Sequence, residues 1–178
     1  MAFTPIKREA VSQPCVTLVG MAGAGKSTLG GLLAKRLGWG QLDTDRYMES
    51  YYGLSLQAIM DTYGLDDFLR IEEGLVSDLN LTRTVISTGG SVIYGPRAVK
   101  RLKRLGPVVL LDIDEATFIE RVGDGENRGL AIGPGKTMRD LYSERLPLYR
   151  EAADLTVRTD QCAPDECVDI ILQHLDIA

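Results

Sequence analysis

Eight residues near the start of the chain, Gly20-Met21-Ala22-Gly23-Ala24-Gly25-Lys26-Ser27, constrain its fold more than any other feature. They satisfy the pattern G-x-x-x-x-G-K-[ST], follow an apolar run at 16–19 and precede a helical pattern over 26–37. A glycine-rich turn between strand and helix lets backbone N–H groups converge on a phosphate, and the helix N-terminus adds a favourable dipole for an anion. The spacing assigns Gly23, Ala24, Gly25 and Thr28 to a phosphate cradle, Lys26 to the β- and γ-phosphates and Ser27 to Mg2+. A glycine-rich turn without a ligand is the bland alternative. Strand, spacing and helix together disfavour it.

Further apolar runs at 84–87, 108–111 and 155–157, with a shorter one at 38–42, alternate with helical patterns at 96–105, 116–122, 137–152 and 164–175. This alternation predicts an α/β fold on a parallel sheet. Two segments break it. Between Asp43 and Glu73 two or three helices follow one another, including patterns at 54–63 and 66–81, too many for a single crossover and so a helical region beside the sheet. Residues 123–135 hold five glycines and no periodicity, the composition of a mobile lid. The expected organisation is an extension over 1–14 and one domain over 15–178, with an acceptor-binding region at about 44–73.

The cradle alone does not name a reaction. The chain has no Asn-Lys-x-Asp, the guanine-reading pattern, which argues against a GTPase. Val108-Val109-Leu110-Leu111-Asp112 looks like the strand and aspartate of a mechanical ATPase, but the helix and glycine-rich segment that follow leave no room for a further subdomain. Asp43-Thr44-Asp45, just after the run at 38–42, is the more useful pair. Ligands of an α/β sheet lie beyond the carboxyl ends of its strands, which places these carboxylates beside the phosphates. Asp43 can hold Mg2+ through water, and Asp45 can orient an attacking hydroxyl and accept its proton. A turn of solvated aspartates is the alternative reading.

In order, these motifs, Phe68-x-x-x-Glu72 on a helix, the Gly89-Gly90 turn after a strand, Arg128 in the lid and Arg145-Leu146-Pro147-Leu148-Tyr149-Arg150 make the chain from 15 to about 175 resemble the shikimate kinase family. The resemblance implies a nucleoside-monophosphate-kinase-like three-layer fold on a five-stranded parallel sheet, with ATP and Mg2+ as cofactors. It implies that Lys26, Asp45 and Arg128 are catalytic, that Arg121 lies against the adenine, and that Arg145 holds an acceptor carboxylate.

Two positions depart from the family pattern. Leu69 stands where the family has an arginine, and Arg70 is no obvious substitute, because one helical step turns a side chain by about 100°. Ser91 stands where the family's third turn glycine would be. Glu72 thereby loses its helical neighbour of opposite charge, and a substrate ammonium would satisfy it. An acceptor pocket of Asp45, Leu69, Glu72, Gly89, Gly90, Ser91, Arg128 and Arg145 then suits a small hydroxy amino acid, homoserine first, with shikimate as the alternative. A ligand sensor on the same fold is a second class, which the full set of Lys26, Ser27, Asp45 and Arg128 disfavours.

The formal net charge of −5, with Lys and Arg dispersed, gives no basic face for a run of phosphates, so no nucleic-acid partner is expected. No leader-like apolar segment or 18-residue apolar stretch occurs, so the expectation is a cytoplasmic monomer without a membrane contact. Cys15, Cys162 and Cys167 fit no zinc spacing and are expected to be structural thiols.

Overall fold

The computed structural model describes residues 14–123 and 130–175. Its frame is a five-stranded, fully parallel sheet in the order β2-β3-β1-β4-β5. The central strand β1 (Val16–Val19) and its neighbour β4 (Val108–Asp112) are buried along their whole length, as an apolar run must be when helices cover both faces of a sheet. The edge strands β2 (Gly40–Asp43) and β5 (Leu155–Arg158) are partly exposed. Between β1 and β2 lies α1 (Lys26–Leu37), and β3 (Thr84–Ser87) pairs with both β1 and β2. The chain leaves β1 towards β2 on one side and later crosses to β4 on the other, so the carboxyl end of β1 opens onto the crevice where such sheets bind ligands. The expected α/β architecture is borne out.

The region after β2 contains α2 (Thr44–Tyr52) and α3 (Leu56–Ser77). The patterns at 54–63 and 66–81 are two arms of α3, which bends at Gly64, where φ is 80° and ψ is 167°. The periodicity missed α2, whose start is set by Asp43. Its side chain accepts from the N–H groups of Asp45 and Arg46, a cap that competes well with solvent. A short 3-10 helix, Gly90–Tyr94, was also not foreseen. The remaining helices are α4 (Pro96–Leu105), α5 (Glu115–Val122), α6 (Met138–Ala152) and α7 (Pro164–His174).

The cysteines require a correction. Cys162 and Cys167 are joined as a disulfide, with Cα atoms 5.9 Å apart, and only Cys15 among the described residues is a free, buried thiol. The turn into α7 folds the two positions together, which a spacing read along an extended chain does not reveal. No helix among the described residues is long and apolar enough to cross a membrane.

Candidate active site

The cradle forms because Gly25, at φ 91°, turns the chain directly into α1. Gly25 caps α1 without a side chain, and the first turn of the helix holds no acidic residue, so its N–H groups face an anion site without a competing carboxylate. Lys26 lies within the cradle, where Nζ donates to the carbonyls of Gly20 and Met21 at 2.8 and 2.7 Å. Burial lowers its pKa to about 8, against the opposing pull of Asp45. Beside it the Ser27 hydroxyl donates to Asp43 Oδ2 at 2.7 Å. These two oxygen donors, expected to serve the metal, are brought into contact. A hydroxyl and a carboxylate are the hard ligands Mg2+ accepts, with water and phosphate oxygens completing its shell.

Asp45 enters from the first turn of α2. Burial raises its pKa to about 6, with Lys26 opposing and Asp43 and Glu49 adding to the rise. Glu72 comes from the second arm of α3 and is only 4% exposed. Burial raises its carboxyl to about 7, partly offset by a hydrogen bond with Ser91 and further raised by Asp45. Its Oε1 has no hydrogen-bond partner. Gly89 separates the two acids: a Cβ there would sit 2.4 Å from Asp45 Oδ1 and 2.5 Å from Glu72 Oε1. The oxygens are thus within roughly 5 Å of each other, a range in which like charges disfavour each other's ionisation. Only glycine fits, and its N–H is held by Thr44 Oγ1 at 2.9 Å.

Arg145, from α6, is 1% exposed. Its Nε donates to the Tyr94 hydroxyl at 3.1 Å, its guanidinium lies 5.1 Å from the centre of that ring, and another nitrogen donates to the Ala131 carbonyl. Among the described residues no carboxylate lies within ion-pairing distance of it. A buried cation held only by neutral oxygens and a ring is set to receive an anion. Lys26, Ser27, Asp43, Asp45, Gly90, Ser91 and Arg145 all line one cavity of about 350 Å3.

Other expected positions fall differently. Arg121 reaches the cradle from outside and donates to the Gly23 carbonyl at 2.9 Å. Of the expected acceptor pocket, Glu72 and Gly89 lie behind the cavity lining rather than in it, and Leu69 packs with Met48, Ile59 and Phe68, while Phe68 and Leu56 supply the apolar wall. Arg70 points to solvent and pairs with Asp67 at 2.6 Å. Asp112 also lies off the cavity, 3.6 Å from Arg150. Arg128 and the rest of 124–129 in the expected lid lie outside the described residues, while Leu130 and Ala131 line the cavity. The sequence reasoning missed Thr88, Tyr94 and Ala131. Tyr94 and Ala131 hold Arg145 from segments without periodicity, and no sequence signal marked them.

A sequence profile described as Shikimate kinase matches residues 22–176. The chain belongs to the shikimate kinase family. A shikimate kinase of Mycobacterium marinum is 39% identical over 166 residues, 92% of this chain and 90% of its own. One from Thermodesulfovibrio yellowstonii is 32% identical over 164 residues, covering 90% and 94%. The solved shikimate kinase from Acinetobacter baumannii in complex with shikimate superimposes with a TM-score of 0.82 at 34% identity, over 90% of this chain and 92% of that one. As a shikimate kinase family member the protein is an ATP- and Mg2+-dependent phosphotransferase acting on a hydroxyl group.

Proposed function

We propose that the acceptor is shikimate, and that this chain transfers the γ-phosphoryl group of ATP to one of its hydroxyls. The observation that carries the reading is Arg145, a buried guanidinium without a carboxylate within ion-pairing distance among the described residues, lining the same cavity as Lys26 and Asp45. A ring carboxylate held there would direct the ring hydroxyls back towards Asp45. Relatives at 32–39% identity and a solved neighbour that holds shikimate support the same acceptor. The expectation of homoserine finds no support in those relatives.

In this reading residues 15–178 act as one unit, with 44–73 presenting the acceptor and 123–135 closing over it. Backbone N–H groups from Gly23 to Thr28 and the Lys26 ammonium hold the β- and γ-phosphates. Arg121 borders the base, and Arg128 meets the phosphates from the lid. Ser27 and Asp43 would hold Mg2+, which would supply charge neutralisation on the phosphates. Asp45 orients the acceptor hydroxyl and takes its proton as the new P–O bond forms and the bond from γ-phosphorus to the β,γ-bridging oxygen breaks, releasing ADP. A positioned base of this kind contributes about 10²–10⁴-fold.

One observation favours a second reading. Glu72 Oε1, buried and without a partner, matches the ammonium of a hydroxy amino acid such as homoserine better than any group of shikimate. Steady-state kcat/KM with each acceptor separates the two. The proposal requires shikimate to be the better substrate, and a preference for homoserine would replace it with the second reading.

A further inference from the structure

A second concavity, of about 520 Å3, lies between α4 and α6 and shares no lining residue with the catalytic cavity. Its floor is apolar, formed by Ile93, Val99 and Leu148, and its rim carries Lys100, Lys103 and Arg104. The rim belongs to a helix, Pro96–Leu105, in which five of ten residues are Lys or Arg and none is acidic, although the whole chain carries a net charge of −5. Lys103 donates to the Glu151 carbonyl at 3.3 Å. Lys100 and Arg104 make no hydrogen bond or ion pair among the described residues, and Glu151 is the one carboxylate in the lining. An exposed cationic helix is ordinarily a solvated face, but here the charges surround an apolar hollow of small-molecule size.

We infer that this groove is an effector site for a small amphipathic anion, with one carboxylate on an apolar ring body, and that its occupation is felt at the acceptor site. Of the three elements that line the groove, α4 stays clear of the catalytic cavity, but the 3-10 helix and α6 line both. Ile93 belongs to the 3-10 helix that carries Ser91, and Leu148 lies one turn beyond Arg145 on α6. The elements are tied by the Tyr149 hydroxyl, which donates to the Gly90 carbonyl, and by Arg145, which donates to the Tyr94 hydroxyl. A ring wedged against Ile93 and Leu148 acts on both, whereas the phosphate cradle belongs to β1 and α1. The effect therefore falls on acceptor binding rather than on ATP.

The test uses 2-naphthoate as the probe and 2-naphthylmethanol as its neutral counterpart, with the whole chain. Calorimetric binding does not depend on which acceptor the enzyme uses, so it fails or succeeds independently of the shikimate reading. The expected result is saturable 2-naphthoate binding with a Kd below about 1 mM, at least tenfold weaker in K100E/R104E and for the neutral probe. It should come with a shift of about fivefold or more in acceptor KM and little change in ATP KM. Absence of saturable binding, binding that survives K100E/R104E, or binding that leaves acceptor KM unchanged overturns the inference. Capture by anionic vesicles or RNA without a response to 2-naphthoate also overturns it, by assigning the patch to a macromolecule.

Discussion

Replacing Glu72 by glutamine keeps the shape of the side chain and its hydrogen bond to Ser91 but removes the charge. In the folded protein burial holds this carboxyl at about 7, against an ordinary value of 4.5. Its contribution to stability is fully present below the unfolded value and is lost as pH rises through about 7. At about 1.36 kcal/mol per pH unit between the two values, ionising Glu72 costs the native state about 3 kcal/mol. Glu72→Gln should therefore exceed the parent protein in stability by under about 1 kcal/mol at pH 5 and by about 3 kcal/mol at pH 8, the latter about 6–12 °C in Tm. Asp45 and Lys26 titrate in both proteins and largely cancel in the difference. Urea unfolding followed by circular dichroism at the two pH values measures it. A variant that gains nothing between pH 5 and pH 8 would refute the account of Glu72 as a buried carboxyl that burial holds above its ordinary range, beyond what the distant Arg145 offsets.

Three further outcomes follow from the site and the fold. Because Asp45 titrates near 6 and must be ionised to accept a proton, kcat/KM should fall as pH drops through about 6, and Asp45→Asn should lower kcat by about 10²–10⁴-fold with ATP KM little changed; a flat profile counts against a base at this position. Arg145→Met removes a charge-assisted contact worth about 1.5–3 kcal/mol, so acceptor KM should rise about 10–150-fold while ATP KM stays within threefold, and a parallel rise in both would make Arg145 structural. Breaking the Cys162–Cys167 bond with Cys162→Ser opens a short loop and should cost about 2 kcal/mol by chemical denaturation; no loss in unfolding free energy would contradict the bond as a stabilising link.

The sheet and the cradle were legible because local rules fix them. Short, largely apolar runs alternating with helical patterns read as buried parallel strands, and the glycine-rich pattern ending at Gly25-Lys26 reads as a turn into a helix that leaves its N–H groups open. Asp43 and Asp45 were legible from their place at the end of a strand, although the helix Asp43 caps was not. Environment was harder to read. Leu69 lies one helical step from Phe68 and both pack in the small apolar cluster, yet only Phe68 also reaches the cavity, since one step turns a side chain by about 100°. The hold of Tyr94 and Ala131 on Arg145 and the meeting of Cys162 with Cys167 depend on segments that converge only in the fold.

The most direct test of the central claim is to identify the product formed from MgATP and shikimate, by phosphorus NMR and mass spectrometry, with Lys26→Ala as the control. The account predicts one equivalent of a shikimate phosphate monoester for each ADP, with formation reduced by orders of magnitude in the variant. ADP released without a phosphoester, or a phosphorylated product with homoserine and none with shikimate, would contradict it.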